Sequence, residues 1–406
     1  ACQQDYAERH SRVVPDLRPY QEVSRDFLAA RRHALLADGM RVGKTPPAIR
    51  AACKAGAGSL LVTTPAIAVP QWIGEIERWW EGPLPRFRVW SYDEARAHWQ
   101  SGLRGTVDVF IPDECHFAGN PTAARTGMVY GKTGFAYNAG ATWALSGTPA
   151  PKSAASLWPM LKAFGVIGMS YEDYLRRYCI LKPDSWTAIG TKVETIPELR
   201  ALLATCTLRR TLRDVAPDMP DIGFNFLRVQ PTTAADLKIP AGLTDDQVLL
   251  WLEENHTHSR EDRIEVAMAK TGPLAEEILF AINNGLLKQT VVFGWHKEPL
   301  RHLRDLLRHQ GLRVEIINGD TLQHQRQAIM FGFNAGLIDV VLLNNATGGT
   351  AIDLSAADHG HMREMDWGAG NNVQAVHRMV SLMKETKVTI DVVTWAGSCD
   401  DWIQQV

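Results

Sequence analysis

The sequence predicts an α/β protein built on two parallel sheets. Three observations carry that expectation. Short apolar strands alternate with amphipathic helices from about Ala34 to Phe164, and the alternation returns from about Thr271 onward. Between them lies a stretch rich in Arg, Tyr and Pro where it fails. Apolar strands joined through helices pair in parallel, with both sheet faces covered. A length of 406 residues suits two or three domains of ordinary size.

Taken in order, SLLVTT is a strand, followed by a helix over Ala68–Trp80. FRVWSY is a strand with a helix from about Asp93, VDVFI a strand with a helix through Pro121–Val129, and ATWALS a strand with a helix through Ala154–Phe164. From about Met169 to Asp221 the pattern reads as helical, through YEDYLRRYC and LRRTLRDV. Pro217, Pro220 and Pro231 then predict a linker, and residues 233–268 a polar helical insertion. In the second half TVVFGW, RVEIIN, DVVLLN, ADHGHMREM and VTIDVVTW are strands. Helices are expected at Pro299–Gln310, Gln323–Ala335 and Val373–Met383. The expected domains are 1–220 and 221–406.

Residues 34–45, ALLADGMRVGKT, carry the strongest chemical signal. An apolar run breaks into a turn and ends in Gly43-Lys44-Thr45. A strand, a loop whose N–H groups wrap phosphate and a helix N-terminus facing the anion make a nucleotide-binding P-loop. Lys44 is expected on the β/γ-phosphates and Thr45 on Mg²⁺. The strict spacing would put Gly at position 38, where Asp38 stands; the nearest match is Gly39. About seventy residues later VDVFIPDECHF ends in Asp113-Glu114-Cys115-His116. Two acids at a strand end suit a metal-holding Asp and a water-activating Glu. Ligands of such sheets bind at the carboxyl ends of strands, where both motifs fall.

Composition narrows the class. No apolar run reaches membrane-span length, and the polar N-terminus predicts no secretory signal. Six Cys without a C-x-x-C pair argue for reduced thiols, and against a disulfide framework or a cysteine zinc site. A net charge of −2 does not advertise nucleic acid, but a basic cleft can sit within a neutral total.

With these pieces in order, residues 15–400 resemble the Swi/Snf-type DNA-dependent ATPases of helicase superfamily 2, and within them the HepA-related annealing-helicase branch. LRPYQ (Leu17 to Gln21) matches the adenine-reading motif, with Arg18 and Gln21 in it. ADGMRVGKT matches motif I, TTPAIAVPQWIGEIERWW motif Ia with Pro65 and Trp72, and DECH motif II. LSGTP, with Ser146 and Thr148, matches motif III. LRRTLRDVAPDMP matches the family's arginine pair, and VVFGWHKEPLRHL resembles motif IV. ATGGTAIDL, with Gly348 and Gly349, resembles motif V; QAVHR, with Gln374 and Arg378, resembles motif VI.

The resemblance implies two RecA-like lobes with ATP and Mg²⁺ in the cleft between them. Gln21, Arg18, Gly39, Gly43, Lys44 and Thr45 would bind nucleotide, and Thr45 and Asp113 the metal. Lys44, Glu114, Gln374 and Arg378 would be catalytic, Arg378 stabilising the transferring phosphoryl group. His116, Ser146, Thr148, Pro65, Trp72, Gly348 and Gly349 would couple hydrolysis to DNA. The implied partner is double-stranded or branched DNA, held through phosphates and so largely without sequence preference. No membrane partner is expected, and the sequence names no protein partner. The expected location is the cytoplasm of a bacterial or phage-infected cell, or the nucleoid, and the nucleus in a eukaryote. The alternatives are a nucleic-acid-binding module with a degenerate ATPase, and a superfamily 2 RNA helicase.

Three departures stand out. Arg41 occupies a place where the family has Gly; it either contacts phosphate or, as expected here, points to solvent. Ser381 stands where motif VI has a second arginine. Thr350-Ala351-Ile352 replaces the second part of motif V. Among other candidates, His256, His258, Glu253 and Glu254 read as a solvated helix face rather than a metal site. Trp72, Trp79 and Trp80 could stack on bases, but at helical spacing they read as core. Arg209, Arg210 and Arg213 could line a DNA path or reach nucleotide; as a charge run they also fit a solvated face.

Overall fold

The computed structural model describes residues 14–102, 106–219, 221–229, 247, 256–345, 352–366, 369–381, 384–395, 398 and 400. The chain divides into two units, Ala1–Pro217 and Asp218–Val406, each with its own six-stranded sheet.

In the first unit the strands are β1 (His33–Leu36), β2 (Ser59–Thr64), β3 (Arg86–Ser91), β4 (Val107–Pro112), β5 (Ala139–Leu145), β6 (Cys179–Leu181), β7 (Ala188–Thr191) and β8 (Thr207–Leu208). The main sheet runs β3-β2-β4-β5-β1-β8, and every pair is parallel. Alternate residues feed two cores. Ala34 and Leu36 of β1, Val109 and Ile111 of β4, and Trp143 and Leu145 of β5 pack with the helices Pro19–Ala29, Thr45–Lys54 and Val69–Trp79. Leu35, Phe110 and Ala144 point to the opposite core, which includes Met128, Leu161 and Tyr174. A strand buried on both faces must be apolar at every position, which is why these segments read as continuous apolar runs. Register brings the strand ends level: Leu36 of β1 sits beside Leu145 of β5 and Leu208 of β8. Asp113, just past β4, bridges to Leu145. The loops after β4, β5 and β1 therefore open side by side at the carboxyl edge.

The second unit contains β9 (Gly223–Arg228), β10 (Thr290–Gly294), β11 (Val314–Ile317), β12 (Val340–Asn344), β13 (His359–Met362) and β14 (Thr389–Thr394). Their order is β11-β12-β10-β13-β14-β9, again all parallel. The helices Thr271–Asn283 and Lys297–His309 bury Leu274, Ile278, Leu300 and Leu303 against Val292, Val340, Leu342 and Val393. The expected α/β class with two parallel sheets is what the chain forms. Among the described residues no helix is long and apolar enough to cross a membrane.

Several expected elements are corrected. The stretch read as helical from Met169 contains an antiparallel pair, β6 with β7, and the edge strand β8. Strands of two to four residues carry no readable period, and β8 is a strand because β1 pairs with it. The expected linker contains β9, which pairs along its full length with β14. Its side chains are largely exposed, as suits an edge strand, so no apolar run announced it. The helix expected to Met383 ends at Val376, continues as one 3-10 turn over His377–Met379, and gives way to extended backbone at Val380. The expected insertion at 233–268 lies outside the described residues, except for position 247 and residues 256–268, which form all but the last residue of the helix His256–Ala269.

Candidate active site

The P-loop links β1 to the helix Thr45–Lys54, with Lys44 as the residue before the first turn. Gly43 has φ +86°, and a Cβ there would meet Gln21 Nε2 at 2.9 Å, so this turn needs glycine. Arg41 holds φ +62°, a left-handed conformation that costs a residue with a side chain of order 1 kcal/mol. The position where glycine is usual is thus one whose backbone geometry favours it. The LRPYQ segment clasps the loop from outside. Tyr20 Oη donates to Val42 O at 2.7 Å and Gln21 Nε2 to Gly43 O at 3.0 Å. Gln21 Oε1 accepts from Arg18 N at 3.0 Å, which fixes the helix start at Pro19. Arg18 itself is exposed.

Lys44 Nζ donates to the carbonyls of Asp38 (3.0 Å) and Gly39 (3.3 Å), so the ammonium folds back across its own loop. Thr45 opens the helix, with its hydroxyl at the anion-facing end. Pro46 and Pro47 follow, which fits the first turn but removes two N–H groups from it. The cradle therefore rests on the Lys44 ammonium and the loop amides before Pro46.

Asp113 sits past β4, 9% exposed. Its Oδ2 accepts from Trp72 Nε1 (2.8 Å) and Thr64 Oγ1 (3.0 Å), and its Oδ1 from Glu114 N (3.0 Å). Tyr92 Oη holds the Asp113 carbonyl at 2.7 Å. Burial, and then the charge of Glu114, push the Asp113 carboxyl up to about 6, against its hydrogen bonds and Lys44. Glu114 is equally buried and takes φ +49°. Burial pushes its carboxyl up, but His116, Lys44 and Ser146 outweigh that and hold it below the usual value. Left-handed backbone in a non-glycine residue is a strain that clusters at functional sites.

Motif III meets motif II through side chains. Ser146 Oγ donates to Glu114 Oε2 at 3.3 Å and accepts from Thr148 N at 3.1 Å. His116 Nδ1 lies 3.0 Å from Ser146 Oγ and 3.2 Å from Glu114 Oε2. Ser146 has one proton and gives it to Glu114, so His116 carries its proton on Nδ1. A Cβ on Gly147 would come within 3.1 Å of Met40 Cγ and 3.5 Å of Lys44 Nζ, so this loop lies against the P-loop.

One partner was not legible as such. Asp38 is 1% exposed and pairs with Arg210, whose Nη2 lies 2.5 Å and Nε 3.1 Å from its carboxylate oxygens. The same guanidinium bonds Tyr20 O and Ser24 Oγ, and Arg210 O accepts from Gly39 N at 2.7 Å. The solvated-face reading fails for Arg210, because β8 delivers it to the P-loop. Trp72 is 2% exposed, so its ring is core and its indole an Asp113 donor; stacking on bases does not fit it. Trp79 and Trp80 are core as well. Pro65 precedes the 3-10 turn Ala66–Ala68 and accepts from Ala68 N.

In the second unit Gln374 lies on the helix Ala369–Val376, partly buried. Arg378 lies in the following 3-10 turn, is 6% exposed, and its carbonyl accepts from Leu354 N. Ser381 follows the extended Val380, and its carbonyl accepts from Lys384 N at 3.0 Å. Gly348, Gly349, Thr350 and Ala351 lie outside the described residues, as do the side chains of Glu253, Glu254, His256 and His258. The structure thus brings together Gln21, Gly43, Lys44, Thr45, Asp113, Glu114, His116 and Ser146 at one sheet edge.

The model of the helicase conserved C-terminal domain matches residues 273–382. The "SWI/SNF-related matrix-associated actin-dependent regulator of chromatin subfamily A-like protein 1" of Xenopus tropicalis is 25% identical over 436 residues, covering 98% of this chain and 44% of that protein. The protein of the same name from Xenopus laevis is 26% identical with the same coverage. The chain thus spans less than half the length of the curated relatives it matches. Among solved structures, the Pyrococcus furiosus Hef helicase domain shares the fold, with a TM-score of 0.53, 14% identity, and coverage of 96% of this chain and 97% of that one. With the motifs in family order on two parallel α/β units, the chain is similar along nearly its whole length to SWI/SNF-related proteins and carries a helicase C-terminal domain match in its second unit.

Proposed function

We propose that this protein hydrolyses Mg-ATP and uses the cycle to move along or remodel double-stranded DNA. The observation that carries the reading is the carboxyl-edge constellation, where Lys44 and the Asp113-Glu114 pair open beside the Ser146 loop. The donor set fits a magnesium nucleotide. A flexible ammonium and a hydroxyl at a helix start suit phosphate and its metal. The Asp113 carboxylate has about four lone-pair sites, three of them filled by protein donors. A buried carboxylate with a free site and a raised pKa is one that a divalent cation would satisfy.

In this reading Thr45 and Asp113 would hold Mg²⁺, which would supply positive charge against the charge developing on the phosphates. Lys44 releases the loop carbonyls to take the β/γ-phosphates. Gln21 and Arg18 read the adenine. Glu114 orients the attacking water and takes its proton as the water oxygen bonds the γ-phosphorus and the bond to the β–γ bridging oxygen breaks. His116 and Ser146 report the state of Glu114 to motif III, whose Thr148 amide already rests on Ser146. Trp72 positions Asp113. Arg378, with Gln374 beside it, is the candidate for charge on the transferring phosphoryl group. Contacts to the DNA backbone, with Pro65, Gly348 and Gly349 among the candidates, would make binding salt-sensitive. The relatives are vertebrate proteins named for chromatin regulation, which supports a location with chromosomal DNA.

Displacement of the third strand from a DNA triplex on a duplex track tests the reading. Wild type with Mg-ATP should displace it, and Glu114→Gln should bind ATP but leave it in place. Displacement without ATP, or none in wild type, would contradict it. One observation favours a second reading, ATP binding without turnover: Arg378 is buried and Ser381 replaces the second arginine. Tight ATP binding with no phosphate release on any DNA would establish it.

A further inference from the structure

We infer that the second unit contains a site for one zinc-class divalent transition-metal ion, held by His359, His361 and Asp391 near the amino-terminal ends of β13 and β14. His359 and His361 stand two apart on β13, and Asp391 lies beside His361 in register on β14. All three project from one sheet face, and their ligand atoms lie within 4.8 Å of one another. Asp391 Oδ2 is 2.7 Å from His359 Nε2 and 4.0 Å from His361 Nε2. Two imidazoles and a carboxylate are the donor set of tetrahedral zinc sites that keep a fourth position open.

The surrounding hydrogen bonds prepare these atoms to be ligands. Thr290 Oγ1 lies 3.1 Å from His359 O, to which it donates. Its one proton spent, it must accept from His361 Nδ1, 3.0 Å away. His361 is therefore the Nδ1–H tautomer, and its Nε2 lone pair faces the cluster. Asn225 Nδ2 donates to Asp391 Oδ1 at 2.9 Å and fixes the carboxylate, leaving Oδ2 for the other two. Second-partner bonds of this kind orient metal ligands and set their tautomer. On the helix Thr271–Asn283, burial and then the charge of Asp391 push the Glu277 carboxyl up, against His359. Its Oε2 is buried with no hydrogen-bond partner among the described residues. It is the candidate to hold a metal-bound water in the fourth position.

A purely structural cluster would keep the His359–Asp391 hydrogen bond as it is. A metal replaces that proton. Tetrahedral ligands about 2.0–2.2 Å from zinc stand about 3.3 Å apart. The 2.7 Å separation then widens and the 4.0 Å one closes, each by a little more than half an ångström. His361 is 1% exposed on its side chain and His359 19%, so an ion would enter past His359. The three residues belong to the second unit, whereas Lys44, Asp113 and Glu114 belong to the first, so the role of the site is to tie β13, β14 and the covering helix together.

The test is Co²⁺ titration of the chelator-stripped full chain without nucleotide, in excess Mg²⁺ to occupy hard-oxygen sites. Wild type should take up one equivalent with visible tetrahedral d–d bands and melt at a higher temperature with metal than without. Asp391→Asn and His361→Gln should lose bands and melting shift while keeping the wild-type circular dichroism. Asp113→Asn should keep both. The inference is overturned if wild type binds no Co²⁺, if both cluster variants bind it as wild type does, or if Asp113→Asn abolishes it.

Discussion

The P-loop is held from behind by one ion pair. Asp38 stands where a strict motif has glycine, and its carboxylate is buried. Removing one partner of a buried pair leaves an uncompensated charge, which typically costs 3–5 kcal/mol. Arg210→Met should therefore destabilise the protein by roughly that amount in urea unfolding. The double variant Asp38→Asn/Arg210→Met should recover part of the loss, because no bare charge remains. A loss below about 1 kcal/mol, as for an exposed charge, would contradict the pairing. Arg210 also shows where reading the sequence stops. Arg209, Arg210 and Arg213 look alike as a charge run, and the register of a two-residue strand decides which one turns inward. Trp72 was legible as core from helical spacing, but its bond to Asp113 joins residues 41 apart, and no local pattern announces that.

Elements were legible in proportion to the length of their signal. The long apolar strands β2, β4, β5, β10 and β12 were read from runs that period and burial both support. The edge strand β9 was missed because its largely exposed side chains leave no apolar run, and β8 because two residues carry no period. The start of the helix Lys297–His309 shows how a buried acid organises an element. Glu364 accepts from Trp295 N (3.0 Å), His296 N (3.2 Å) and His296 Nδ1 (2.5 Å). Burial pushes its carboxyl up, but His296, Arg363 and Lys270 outweigh that and hold it below its ordinary 4.5. A depressed carboxylate gives stability that is present above its unfolded pKa and lost as pH falls through the folded one. Glu364→Gln should thus destabilise at pH 7 by about 1–3 kcal/mol. The gap to wild type should narrow as pH falls below about 4.5. A gap independent of pH, followed by chemical denaturation across that range, would show that the ionised form is not what anchors the helix.

At the scale of the whole molecule, the fold class was legible because two stretches of strand–helix alternation each specify a sheet covered on both faces. The order of motifs carried the resemblance. His116 was read from the sequence as a coupling residue beside Ser146, and strand order, which places β5 between β1 and β4, brings the two together with Glu114. The clasp of Tyr20 and Gln21 on the P-loop was not legible, because it is made by the helix before β1. That arrangement is what makes an ATP-driven DNA motor the proposal here. The most direct test is steady-state ATP hydrolysis with no nucleic acid, with duplex DNA, with forked DNA and with duplex RNA, using Lys44→Ala as the blank. Turnover should rise strongly on duplex or forked DNA, rise less on RNA, and fall to background in Lys44→Ala. Turnover no higher than the Lys44→Ala blank on every DNA, in a chain that still binds ATP, would contradict it.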